Sequence, residues 1–372
     1  MLTLTADIGH ALDTRALNLT SLLSGTVMGT PTATAADFDA GGGVIAHFTG
    51  TNFVFDGSGV PGGGVIATLS VEVSGHTAFT LSNLNISILQ LYGWTLTHDE
   101  TSALTTILAG DDSVLGSTNA DYIEGFDGHD FLNGLDGADT LLGGAGNDHI
   151  YGNAQTALPG SHDGADSLWG GDGADYLQGN KGADTLDGGN GSDRLYGGAD
   201  NDSILGGAGN DSANGNLGND VIKGEDGNDL LRGGQGDDNL DGGAGDDILS
   251  GDKGIDTMWG DAGIDTFRFA DGDAAISGNS TDVIMDFLHG TDHVGLGFAP
   301  AALLAGTAAT LAAGQTAAQA LLDGHAGDHE VAAVQVGTDT YLFWNGSGGA
   351  TVDSAVQLHG VTATTLALTD FI

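Results

Sequence analysis

Sixteen aspartates stand in one column of a nine-residue pattern: Asp121, Asp130, Asp139, Asp148, Asp166, Asp175, Asp184, Asp193, Asp202, Asp211, Asp220, Asp229, Asp238, Asp247, Asp256 and Asp265. Each follows a short glycine-rich stretch, whose glycines leave main-chain carbonyls uncovered. Carboxylates and carbonyls converging on a tight turn suit a hard cation, and Ca2+ takes six to eight oxygens. Six residues at the third position of the pattern, Asp127, Asp136, Asp163, Asp172, Asn190 and Asp226, are further candidates. They could support ions or form ordinary Asx turns.

The pattern reads G-G-x-G-x-D-x-U-x, with U apolar, and copies begin at Gly116, Gly125, Gly134, Gly143, Gly152, Gly170, Gly179, Gly188, Gly197, Gly206, Gly215, Gly224, Gly233, Gly242, Gly251 and Gly260. A fixed period of this kind signals a solenoid. Glycine at positions one and four is read as a backbone requirement of the turn. The x-U-x that follows is expected to be a three-residue strand with its middle side chain turned inward. Two repeats make one coil, turns alternate between the two edges, and each turn stacks on the next but one. A cation then sits between carboxylates such as Asp175 and Asp193. Sixteen turns leave up to about fourteen such gaps. The segment Asn153–His162 interrupts the copy at Gly152 but preserves the register; a bulging loop and a degenerate half-coil both remain open.

Charge supports a cation partner. The chain of 372 residues has 51 acidic against 7 basic side chains, net −44, which repels nucleic acid and anionic membranes. About fourteen dications would nearly cancel the excess acid of the repeats. Without them, carboxylates about 4.8 Å apart lie well inside the ~10 Å Debye length. One apolar residue per repeat is a thin core, so the expectation is a chain unfolded without calcium and rigid with it. The chain lacks cysteine, so no thiolate site is available.

Residues 1–110 alternate apolar and polar in Val44–Phe55, Val65–Val73 and Phe79–Ile88, and read as a small β-rich domain of unknown role; a short helix over Asp99–Leu108 is expected. Residues 111–268 form the roll. Residues 269–372 lack Lys and Arg and read as a cap and tail, with a helix over about 300–323 and strands at Val331–Val336 and Thr340–Trp344. The fold class is therefore all-β dominated: a calcium-bound parallel β-roll (β-solenoid) flanked by a small N-terminal β-domain and a C-terminal α+β cap.

Stretches such as Gly233-Gly-Gln-Gly-Asp-Asp-Asn-Leu-Asp241 and Gly242-Gly-Ala-Gly-Asp-Asp-Ile-Leu-Ser250 resemble the RTX, or hemolysin-type, calcium-binding repeat family. The likeness extends into Asp265–Phe269, Thr281–Phe287 and Gly290–Val294, which look like the segment closing the roll in serralysin-type proteins. That resemblance implies a terminal ion at Asp282, Asp286 and Asp292. It also implies export from a Gram-negative cell by type I secretion machinery, under an uncleaved C-terminal signal such as Asp370-Phe-Ile372. A final strand of the cap is the competing reading of that tail. The N-terminus lacks the basic and apolar regions of a cleaved export signal, in keeping with this route to a secreted, extracellular or cell-surface location.

No His-Glu-x-x-His and no Gly-x-Ser-x-Gly occurs, which excludes the corresponding zinc protease and lipase classes. The scattered histidines, among them His129, His149 and His162, read as solvated turn residues. No catalytic residue and no enzyme are expected. The leading reading is a secreted calcium-binding protein with a structural, matrix or cell-surface role, and cell-surface or matrix polysaccharide as a candidate partner. The alternative is a calcium-dependent extracellular hydrolase or polysaccharide-active enzyme whose site lies in the N-terminal domain. No segment is apolar enough to insert in a membrane.

Overall fold

A computed structural model describes residues 110–153, 163–270, 273–274, 281–323, 329–344 and 352–372 with their side chains, and six N-terminal strands as backbone. The chain divides into two compact units, Met1–Leu177 and Gln178–Ile372. The chain is mostly β, and both units contain parallel solenoid coils.

In the first unit the N-terminal strands Thr26–Met28, Ala35–Gly41, Val44–Phe55, Pro61–Val73, His76–Ser87 and Leu2–Ala6 form an antiparallel ribbon in that order. Leu2–Ala6 then pairs in parallel with Asp112–Leu115, the first strand of the roll. The alternating stretches expected to be strands are strands. The helix expected over Asp99–Leu108 falls outside the described residues.

The roll consists of two parallel sheets with the position-eight side chains between them. In the first unit one sheet contains Asp112–Leu115, Phe131–Asn133 and His149–Tyr151, and the other Tyr122–Asp127, Thr140–Ala145 and Ser167–Asp172. In the second unit, strands such as Arg194–Ala199, Ser212–Leu217 and Leu230–Gln235 alternate in sequence with Ser203–Ala208, Val221–Asp226 and Asn239–Ala244, and each set forms its own sheet. Ile204, Ile222, Leu231, Leu240 and Leu249 are fully buried. A single apolar file from each sheet is thus the whole solenoid core, and the rest of the chain's cohesion must come from main-chain pairing and the turns.

Most strands are six residues long, not three. The second residue of the glycine pair continues the ladder, as in Gly189↔Gly207 and Asn190↔Ala208 beyond Thr185↔Ser203. The cause is that each coil lies directly on the next. Positions two and three therefore meet their own counterparts, and the pairing extends past the residues that face the core.

Strand Thr140–Ala145 pairs with Tyr122–Asp127 on one side and Ser167–Asp172 on the other. The step between partners grows from 18 to 27 residues across the interruption. Nine residues are thus added without changing which sheet each strand joins, the outcome expected of a loop. Residues 154–162 themselves lie outside the described residues.

The C-terminal region is α+β. Ala302–Ala308, expected to begin a helix, is instead a strand pairing in parallel with Glu330–Val336. The helix is shorter, Leu311–Asp323, because the Thr310 hydroxyl accepts a hydrogen bond from the Ala313 amide at 3.2 Å and so caps its start. The strands expected near 331–336 and 340–344 are present, and Ser354–Leu358 pairs with Asp339–Trp344 and Asp282–Ile284. The last residues dock as well: Phe371 bridges to Val294, and the buried Asp370 carboxylate accepts from the Gly290 amide and faces His289 Nδ1 at 2.8 Å.

Candidate calcium site

Within each unit, position-six side chains form rows, one along each edge of the coils. In each row an aspartate amide donates to Oδ1 of the aspartate one coil on. Asp202 N reaches Asp220 Oδ1, Asp220 N reaches Asp238 Oδ1 and Asp211 N reaches Asp229 Oδ1, each at 2.8 Å. These amides would otherwise be orphaned at the turn, so the carboxylate satisfies a local need with one oxygen.

The other oxygen has no such use. Oδ2 of Asp130, Asp139, Asp148, Asp202, Asp211, Asp220, Asp229, Asp238, Asp247, Asp256 and Asp265 is buried and accepts no hydrogen bond. A buried carboxylate oxygen left unmatched costs several kcal/mol, and here the cost repeats along the rows. Beside it lies a main-chain oxygen. A Cβ placed on Gly125 would meet Asp130 Oδ2 and stand 2.6 Å from the Gly143 carbonyl oxygen. The donor set is thus hard oxygens of both kinds, with negative charge in excess, and it fits Ca2+. Among the described residues no three acidic or histidine side chains converge on one point. An ion at each step would therefore be held by carboxylates of successive coils and completed by carbonyls.

At position four the glycines meet the expected backbone requirement, as their positive φ shows, but at position one they do different work. Position one does not need a positive φ. It needs the absence of a Cβ, because the carboxylate occupies that space. Left-handed backbone falls at position two, at Phe126, Asn180, Asn216 and Glu225 as well as glycines, and at position four, as at Gly236 with φ 135° and the exceptional Asp200 with φ 80°.

All sixteen predicted position-six aspartates lie in the rows. The rows also run further than the sequence motif. Asp112 donates to Asp130 Oδ1 at 2.8 Å, and Gly110 and Val114 fill the fourth and eighth positions of a partial copy. At the other end Asp256 N donates to Asp282 Oδ1 and Asp265 N to Asp292 Oδ1. Asp286 lies off the rows, its carboxylate accepting from Gly260 N and Asp261 N. Two row ends are satisfied within the protein, Asp121 by the Ser117 amide and hydroxyl, and Asp292 by the Leu288 amide.

Third-position residues divide. Asp136 and Asp163 lie near enough to Asp139 for their charge to raise its carboxyl. Asp127, Asp172, Asn190 and Asp226 are exposed, the last two along an open groove of one sheet face. A ladder at position five was not expected. Asn228 N donates to Asn210 Oδ1, Asp246 N to Asn228 Oδ1 and Ile264 N to Asp246 Oδ1, at 2.9–3.0 Å. His129 joins such a ladder, its Nδ1 accepting from Asn147 N at 2.7 Å, and His149 stacks on Tyr176. Neither is a merely solvated side chain. His162 lies outside the described residues. The recurring Asn-Asp and Asp-Asp pairs were the sequence signal for this ladder.

Burial, reinforced by neighbouring carboxylates, pushes Asp229, Asp238 and Asp265 up to about 7, Asp202 up to about 8 and Asp256 up to about 6, against the opposing effect of the amide hydrogen bonds. A carboxyl raised in the folded state makes the metal-free roll bind more protons than the unfolded chain. Its stabilising contribution is fully present below the ordinary value of 3.8 and is lost as pH rises through about 6 to 8. In EGTA, the β signal in circular dichroism is therefore expected to fall as pH is raised across that window. Calcium affinity should rise across the same window as protons cease to compete. A pH-independent signal in EGTA would contradict this.

Overlapping stretches covering residues 108–156 and 162–267 match the RTX calcium-binding nonapeptide repeat family. No curated protein matches. Among solved structures, the AlgE6R3 subunit of the Azotobacter vinelandii mannuronan C5-epimerase, determined in solution, is 26% identical, covers 47% of this chain and 78% of its own, and aligns with a TM-score of 0.29. The repeat region of this protein thus carries RTX calcium-binding repeats folded as a β-roll.

Proposed function

We propose that this is a secreted calcium-binding protein whose roll folds on meeting extracellular Ca2+ and then serves a structural, matrix or cell-surface role without catalysing a reaction. The observation that carries the reading is the set of rows of buried carboxylate oxygens that accept no hydrogen bond. The proposal extends to the ions themselves: position-six aspartates as ligands, the third-position residues as supports, and up to about fourteen ions in all.

Metal-coupled folding makes export intelligible. Low cytosolic calcium keeps the chain unfolded and threadable through type I secretion machinery, and millimolar calcium outside folds it. RTX repeats are typical of secreted proteins, and among the described residues no helix is long and apolar enough to cross a membrane. A polysaccharide of the surface or matrix is the proposed macromolecular partner.

Two measurements test the role. Expressed in a Gram-negative host with and without a type I exporter, the full chain is expected in the medium only with the exporter. Assayed in saturating calcium against a panel of polysaccharide and ester substrates, it is expected to show no turnover. Turnover abolished by a single substitution within residues 1–110 would overturn the non-catalytic reading, and intracellular retention in the exporting host would overturn the secreted one.

A further inference from the structure

On the solenoid strands of the Gln178–Ile372 unit, leaving aside the carboxylate rows and the acids of the turns such as Asp200, Asp237 and Asp246, charge is sorted by sheet. Solenoid strands of one sheet carry Lys181, Arg194, Arg232, Lys253 and Arg268, all exposed, against a single acid, Asp252. Strands of the other carry Asp187, Glu225, Asp226, Asp241 and Asp261 against a single cation, Lys223, leaving aside the row residue Asp282. Five against one in each case leaves the strands of one sheet at +4 and those of the other at −4, and counting Asp273 beside Arg232 and Lys253 and Asp286 in the acidic groove brings the faces to +3 and −5. In a chain with 7 basic residues in total, placing five of them on one face is a marked segregation.

Both faces are open and grooved along the coils. The acidic face has a groove of about 1010 Å³ lined by Asp187, Asn190, Glu225, Asp226, Asp261 and Asp286. The basic face has one of about 630 Å³ lined by Asn214, Leu217, Arg232 and Lys253, with Asp252 and Asp273 also on its wall, so the face's excess of positive charge lies outside this groove, at Lys181, Arg194 and Arg268. Two ion pairs run within the faces, Lys223–Asp241 at 3.2 Å and Arg232–Asp252 at 2.6 Å. They join a minority charge to a majority one and leave the excess on each face in place. Exposed Leu217 and Leu230 on the basic face and Val221 on the acidic face add apolar contact area.

We propose that calcium-loaded rolls associate face to face, the basic sheet of one copy seated on the acidic sheet of a second copy. This rests on the structural role proposed above. Both faces are built on the same coil spacing of about 4.8 Å, so their rows of charge repeat at matching pitch. A polyanion would match the basic sheet and leave the acidic sheet without a counterpart, whereas a second copy matches both. The two faces lie on opposite sides of the roll, so the contact is heterologous and does not close, and it generates linear stacks. Loading must come first, because the carboxylate rows repel until calcium offsets them.

Sedimentation velocity of the full chain in saturating calcium, with circular dichroism confirming a folded roll, tests this. At low salt and up to about 1 mM chain, a weak-affinity regime, the sedimentation coefficient is expected to rise with concentration. At about 1 M salt, where the Debye length is about 3 Å, it should return to that of a monomer. R194E/R232E/K253E makes both faces acidic and D187K/E225K/D261K makes both basic. Each alone is expected to stay monomeric, with the apparent Kd raised at least about tenfold, and their equimolar mixture should assemble. If a triple variant fails to fold, R232Q/K253Q provides a milder loss with the same expected direction. A folded wild type that stays monomeric at every concentration, variants that stack as wild type does, or folded variants that do not assemble when mixed would each overturn the proposal. So would a monomer that binds polygalacturonate through the basic face without self-association. A chain that does not fold with calcium at all would count against the calcium reading instead.

Discussion

In EGTA at about pH 9, above the window in which the row carboxyls take up protons, the repeat region is expected to lose its β structure, and millimolar calcium is expected to restore it. The opposing terms decide this. Each coil buries one apolar side chain from each sheet, such as Ile222 and Leu231, worth about 1.5–3 kcal/mol apiece. Ordering the eighteen residues of a coil costs more backbone entropy than so thin a core offsets. Main-chain pairing recovers part of that difference, but the carboxylate rows then add repulsion between like charges about 4.8 Å apart. Calcium reverses the sign of that last contribution and supplies a partner for each buried Oδ2. Folding should be cooperative along the stack, because each coil contacts only its neighbours. Far-UV circular dichroism in EGTA and in calcium checks this; a chain equally folded in both would contradict it.

The second large effect is expected from Gly233→Ala. A Cβ there would strike the Asp238 carboxylate and stand 2.7 Å from the Gly251 carbonyl oxygen. Neither can yield cheaply: Asp238 Oδ1 already accepts from Asp220 N at 2.8 Å, and the Gly251 carbonyl is part of the next coil. Moving the carboxylate breaks that hydrogen bond and displaces a proposed ion ligand together. The expected loss is about 3–5 kcal/mol, at the upper end for one substitution. Gly360→Ala is the control. It has a left-handed φ of 70° but nothing within 4 Å of an added Cβ, so strain alone should cost about 1–2 kcal/mol. Thermal unfolding in saturating calcium measures both, and similar losses at the two positions would contradict the steric account of position one.

These residues also show how far sequence reasoning reached. The spacing of the aspartates and of the apolar column sufficed for the coil, the alternation of edges and the identity of the row residues, because a strict period leaves few ways to stack. It did not distinguish the two demands met by glycine. A column of glycine looks the same whether it answers a dihedral angle, as at Gly236, or a neighbouring carboxylate, as at Gly233; the stacking of successive coils separates them. The row members Asp112, Asp282 and Asp292 stand beyond the motif because the coil geometry persists where its glycines lapse. Ala302–Ala308 reads as helix in sequence but folds as a strand, because helix propensity is a weak prior against a waiting strand partner, here Glu330–Val336. The side-chain ladder at position five was legible only as a repeated Asn-Asp or Asp-Asp pair, with no local sign that its partner lay one coil away.

If the buried carboxylate rows are calcium sites whose filling is the folding reaction, bound calcium per chain must track the folded fraction. Equilibrium dialysis and circular dichroism on the same samples would give both quantities. Many ions per chain, approaching about fourteen at saturation, should bind over the concentration range in which β structure appears, and Asp220→Ala should remove about two of them, since its carboxylate lies between two successive coils. A roll that folds fully with few or no ions bound, or an undiminished calcium count in Asp220→Ala, would contradict the account.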